Sequence, residues 1–240
     1  MFTFKQNCRN QNVCNTCIMD LFQNFKIQLN ENLFVKDPET SELGRKIIEN
    51  SILLMDEIGF EHFTFKKLGE KIQSPESSIY RYFENKHKLL LYLSSWYWAW
   101  IEYHLVFATT NIQDPMERLQ KAITIVTQNV ADDSKTPHIN EAILNRIIIS
   151  EFTKTFLTKE VDNENREDFF WVYKRVVNRI IQMIEAVNPN YPYAKSLASL
   201  VVEGSLHQHF LKQHFKTITN FKEEDSLTDF FYNLIQKNIA

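Results

Sequence analysis

Apolar residues recur along most of this 240-residue chain at spacings of three and four, the period of an amphipathic helix. Leu43, Ile47, Ile48, Ile52, Met55 and Ile58 trace a helix that stops at Gly59, a residue suited to a C-terminal cap. Thr64 is placed to cap a short helix carrying Phe65, Leu68 and Ile72. Ser74 and Pro75 supply a cap and a first-position proline for a second short helix holding Ile79, Tyr82 and Phe83. Asn85 then opens a long aromatic helix through Ala108. Asp114, Pro115 and Glu117 make a capping-box start for a helix carrying Met116, Leu119, Ile123, Val126 and Val130. After a loop at 132–137, helices are predicted over 137–157, 167–187, 193–215 and 226–238. The pattern predicts an all-α fold.

Composition sharpens this. Glycine occurs only four times, as Gly44, Gly59, Gly69 and Gly204, so no cluster exists to cradle a nucleotide's phosphates. So few turn-formers also disfavour a hairpin-rich β fold. Residues 1–40 stand apart, because Asn and Gln supply eleven of the first 32 positions, a composition poor at building a core. Ile18, Leu21, Phe22, Phe25 and Leu29 leave room there for one extra short helix. The stretch 89–108 is apolar enough to imitate a membrane span, but Glu102 and His104 lie inside it, and a buried helix explains it better. Cys8, Cys14 and Cys17 make an odd count with no apolar leader before them, which implies a reducing cytoplasm; whether Met1 or Met19 starts the chain stays open.

Charge is uneven. The net formal charge is −3, yet residues 62–95 carry six basic side chains against three acids. Two short helices joined by a tight turn, flanked by longer ones, make a helix-turn-helix. Its second helix offers N-terminal residues to base edges in the major groove, while flanking polar groups grip phosphates.

The residues of this region resemble the tetracycline-repressor (TetR) family of regulators. The resemblance rests on Gly59-Phe60, Thr64, Leu68-Gly69, the run Ile79-Tyr80-Arg81-Tyr82-Phe83, and Asn85-Lys86 followed by Leu89-Leu90. It implies a helix-turn-helix DNA-binding domain over 41–93, after an N-terminal extension at 1–40. A helical regulatory and dimerisation domain would follow over 94–240. It also implies that Thr64, Tyr80 and Lys86 contact phosphates, while Gln73, Glu76, Ser77, Ser78 and Arg81 approach bases or backbone and Lys66 joins the basic surface. Tyr82 and Phe83 share an apolar face with Ile79 and read as packing. The chain departs from the family at Gln73 and Ser74, where a glycine and a small apolar residue are usual, and at Ser77, another frequent glycine. Glu76 can accept from a cytosine amine but repels phosphate.

Trp96, Trp100, Tyr103, Phe107, Phe152, Phe156 and Trp171 either form ordinary core or line the small-molecule effector pocket that the resemblance implies. Glu102 and His104 lie beside the rings as polar anchors. Leu197, Val201, Gly204, Gln208, Leu211 and Phe215 alternate spacings of four and three, a seam suited to a homodimer, with Phe230, Phe231 and Leu234 as its second face. Neither the cysteines nor Glu203, His207, His209 and His214 make a complete metal set, and no cofactor or catalytic arrangement is evident. The expectation is a homodimeric, ligand-responsive repressor of a DNA operator, without enzymatic activity. The alternative is a helical ligand-binding or interaction protein whose helix-turn-helix does not read DNA.

Overall fold

A computed structural model of the chain describes residues 29–132, 136–156 and 158–239. The three cysteines, and all of the 18–29 apolar period except Leu29, lie outside the described residues. Among those described there is no strand, and two single 3-10 turns (Glu31–Leu33 and Pro38–Thr40) precede ten α-helices. The helices are α1 Glu42–His62, α2 Phe65–Ile72, α3 Glu76–Tyr80, α4 Lys86–Thr109 and α5 Pro115–Thr127. They continue as α6 Glu141–Phe156, α7 Val161–Arg166, α8 Trp171–Val187, α9 Ala194–His214 and α10 Thr228–Ile239.

Capping sets most of these starts. The side chains of Ser41, Thr64, Asn85 and Asp114 accept the first free N–H groups of α1, α2, α4 and α5. One expected cap differs: Pro75, not Ser74, precedes α3, and no side chain caps that helix. The short α7 reads Val-Asp-Asn-Glu-Asn-Arg, too polar to show a period, and lies between the helices predicted over 137–157 and 167–187. Near its end α1 is broken at Gly59, whose φ of 76° and ψ of 157° suit glycine alone, so the last turn is a separate corner.

Helix α4 is the axis of the molecule. It packs against α5, α6 and α8, while α9 lies over α5, α6 and α8, and α10 closes on α5. Every residue from Leu89 to Ala99 is buried, which is why this helix is apolar all round. The membrane-like stretch is therefore a core helix, and no helix among the described residues is long and apolar enough to cross a membrane. Glu102, buried inside it, accepts from Arg179 Nε at 2.7 Å and from the Arg175 guanidinium, locking α4 to α8. Its oxygens are therefore taken by two arginines of the same chain, where the sequence suggests a polar anchor for a ligand.

Candidate nucleic-acid interface

The site is built on a tight turn. Helix α2 ends with the Ser74 N–H donating to the Gly69 carbonyl at 2.9 Å and the Gln73 N–H to Glu70, a Schellman closure. Gln73 takes the left-handed conformation, φ 54° and ψ 46°. A Cβ on Gly69 would stand 2.7 Å from the Ser74 carbonyl oxygen, so glycine lets the turn fold back onto α2.

On this turn Thr64, Lys66, Gln73, Ser77, Tyr80 and Arg81 are exposed or nearly so, whereas Glu76 and Ser78 are half-buried. Thr64 Oγ1 accepts the Lys67 N–H at 3.2 Å, which leaves its own proton for an outside acceptor. The Tyr80 ring stands edge-on to Phe65, centroids 5.0 Å apart, bringing its hydroxyl-bearing, 49% exposed side chain beside the start of α2. Lys66 and Arg81 make no ion pair with a described residue, while Lys71 pairs with Glu57 and Lys67 donates to the His62 carbonyl. Tyr82 and Phe83 are buried, in keeping with packing.

Lys86 is different. Its ammonium donates to three main-chain carbonyls, Phe60 at 3.0 Å, Glu61 at 3.1 Å and Phe63 at 3.3 Å, and lies 4.7 Å from the Phe60 ring centre. All three N–H groups are spent on the corner between α1 and α2. In this structure Lys86 acts as a bolt that ties the start of α4 to that corner, where the sequence resemblance implies a phosphate contact.

Three-dimensional contacts that no local sequence pattern announces hold this unit to the rest. Arg146 of α6 forms a two-pronged pair with Asp56 of α1, at 3.0 and 2.6 Å. Lys154 bridges Glu151 and Glu61, and Glu151 accepts the Phe60 N–H at 3.5 Å. His87 meets the buried Glu164 of α7 at 2.7 Å.

The residues of the two other expected sites are placed as follows. Trp96 is buried, Trp100 stacks on Tyr97 and lies over His104, and Phe152 and Phe156 close a ring cluster with Phe170 and Tyr173. The Arg175 guanidinium covers Trp171 at 3.9 Å, and Phe107 points outward, 63% exposed. One cleft, about 510 Å³, is an open groove between α8 and α9; another, about 330 Å³, includes Tyr103 and Phe107. Neither touches Trp96 or Trp100, because the space beside those rings is filled by their neighbours. In the expected dimer seam, Leu197, Val201, Leu211 and Phe231 are buried within the chain, Gly204 lies against Phe231, and Gln208 accepts from Thr219. Leu234 is half-buried against the core, and only Phe215 and Phe230 are exposed, at 52% and 45%. Glu203 takes the Tyr173 hydroxyl, and among the described residues no three metal-binding side chains converge.

No protein-family model matches the sequence, and no curated protein does. Solved structures do match. A regulatory protein of the TetR family from Rhodococcus RHA1 is 14% identical, with 83% of this chain and 98% of that one covered and a TM-score of 0.56. AibR, solved in complex with isovaleryl coenzyme A and operator DNA, is 18% identical over 79% of this chain and 97% of its own, TM-score 0.52. The superantigen PfiT is 15% identical over 85% and 96%, TM-score 0.53. At such identities the likeness is one of fold alone. The helix order, the turn at Gly69 and these matches converge on one conclusion: the chain has a TetR-like fold.

Proposed function

We propose that the chain is a DNA-binding transcriptional regulator that acts as a homodimer and answers to a small molecule. The observation that carries this reading is the α2–α3 turn, which offers Thr64, Tyr80, Lys66 and Arg81 together, with no described acid paired to either cation. Backbone-gripping hydroxyls beside unpaired cations are the parts that set register on a duplex. AibR, a protein of similar fold, was solved on operator DNA. The packed interior between α4, α6 and α8 means that an effector would have to part the ring cluster or use the open groove at α8. Repression is the sign of regulation that the sequence resemblance implies.

A second reading has one observation in its favour: the superantigen PfiT has a similar fold. Under that reading the chain is a protein-binding module. Fluorescence anisotropy on the chain's own upstream DNA, across a salt series, separates the two. A regulator gives tight binding with a steep salt dependence. Lys66→Ala and Arg81→Ala each flatten that slope by about one unit, since each takes one cation away from a phosphate. Lys86→Ala lowers affinity and melting temperature while leaving the slope in place, because its partners are carbonyls. Flat, weak binding of every duplex tested would favour the protein-binding module.

A further inference from the structure

The segment before α1 is tied down along its whole described length, and its partners belong to both halves of the molecule. Leu33 is buried against the core, and Pro38 is also buried. A Cβ on Gly44 would stand 2.1 Å from the Pro38 carbonyl oxygen, so α1 carries a glycine where the segment crosses it.

Toward the recognition turn, the Val35 N–H donates to the Tyr82 carbonyl at 2.8 Å. That carbonyl lies two residues past the end of α3. The Tyr82 hydroxyl is 2.8 Å from Ser41 Oγ, and the Lys36 ammonium lies 5.2 Å from the same ring. Phe34 packs edge-on to Tyr92 of α4.

Toward the body, the Asn30 side chain donates to the Glu167 carbonyl at 2.6 Å, just past α7. Lys88 donates to the Asn32 carbonyl at 3.3 Å and approaches Glu167 at 4.0 Å. Glu39 meets His138, ahead of α6, at 3.0 Å and accepts the Tyr92 hydroxyl at 3.4 Å.

We infer that residues 30–41 are a strap that fixes the orientation of α3 against the body, so that Val35 and Glu39 position the recognition helix without touching DNA. Helix α4 runs continuously from the turn into the body, and α1 is pinned to α6 by Arg146–Asp56. Glu151 also holds the Phe60 N–H, Lys154 holds Glu61, and His87 meets Glu164, but none of these attachments reaches α3 itself. The strap supplies that tie, joining Tyr82 on one side to His138 and Glu167 on the other. A packed, hydrogen-bonded segment touching both parts is one physical route by which their positions can be coupled. The inference deepens the proposed DNA-binding function and rests on it for its affinity readout.

The experiment measures position and binding separately. Nitroxide labels on Ser77→Cys and Lys174→Cys, in protein whose Cys8, Cys14 and Cys17 are serine, report the distance from α3 to α8 by pulsed electron resonance. Dilution with unlabelled chain isolates the distance within one chain. Val35→Pro removes the N–H that meets Tyr82; Glu39→Gln removes the charge facing His138 with little change of shape, and serves if the proline variant does not fold. Both variants should broaden or shift the distance. Both should weaken DNA binding by about tenfold, with the salt slope unchanged. An unaltered distance distribution in Glu39→Gln overturns the inference. So does a broadened distance with full DNA affinity, or a slope flattened by about one unit, which would make the strap a phosphate contact. If the parent protein binds no DNA, the proposed function fails, and the distance alone decides whether the strap holds α3.

Discussion

Gln73 shows how one residue can carry both strain and position. It closes α2 in the left-handed region, where an L side chain crowds its own carbonyl and costs about 1–2 kcal/mol. Glycine at that site removes the crowding but adds freedom to the unfolded chain, which returns part of the gain. Gln73→Gly should therefore raise stability by about 0.5–1 kcal/mol in urea melts. An unchanged or lowered midpoint would show that the Gln73 side chain offsets its strain through contacts. The site's other single residues divide by how local their partners are. Thr64 was legible as a cap because the N–H it accepts lies three residues on, and Tyr82 as packing because it shares a period with Ile79. Lys86 was not, because its carbonyl partners are 23 to 26 residues away and become neighbours only once the α1–α2 corner has formed.

At the scale of elements, period and caps located nearly every helix, since burial of one face is what selects helical registers here. They failed where neither signal exists. Helix α7 has one apolar residue in six, and the strap before α1 is held by partners as far as 137 residues away. Helix α9 held a further surprise. Ser205, His209 and Lys212, at spacings of four and three, turn inward toward the end of α5: Ser205 donates to the Val126 carbonyl at 3.0 Å, and Lys212 to Asn129 Oδ1 at 3.3 Å. His209 Nε2 meets the Thr127 carbonyl at 3.0 Å between them. In sequence His209 grouped with His207 and His214 only as an incomplete metal set. Burial instead lowers its pKa to about 4. A histidine held neutral in the fold but free to protonate when unfolded contributes stability that is whole above pH about 6.5. That stability is lost as pH falls toward 4, because the unfolded chain then binds the extra proton. The loss is on the order of 3 kcal/mol across the window. Urea midpoints from pH 7 to 4 should fall, and His209→Gln, which keeps a donor for Thr127, should flatten the fall. An equally steep decline in the variant would assign it to the carboxylates instead.

At the scale of the whole molecule, the seam sought in α9 was its most apolar face, and a monomer core claims such a face first. Val201 is fully buried, so Val201→Glu should unfold the chain rather than dissociate it. What remains outside is a second apolar surface: Leu200 at 55% exposure on α9, Phe215 at 52%, Ile218 at 67% in the following loop and Phe230 at 45% on α10. Phe210 lies 5.9 Å from Phe215, and Phe221 lies 5.8 Å from Phe230, so the exposed rings continue into half-buried ones. Large apolar side chains exposed on neighbouring elements are a common mark of a surface that a partner covers. A second copy of the chain is the occupant that the proposed regulator requires, since paired half-sites demand paired recognition helices. Gly204 is not the place to test it, because a Cβ there would meet Phe231 of the same chain at 3.4 Å. The test belongs on the outer surface. The parent protein should scatter light with twice its 28.6 kDa mass at micromolar concentration. Leu200→Glu combined with Phe230→Glu should return it to a monomer with unchanged helical circular dichroism and much weaker DNA binding. A parent protein that scatters as a monomer would remove the dimer. A double variant that stays dimeric would move its interface away from α9 and α10.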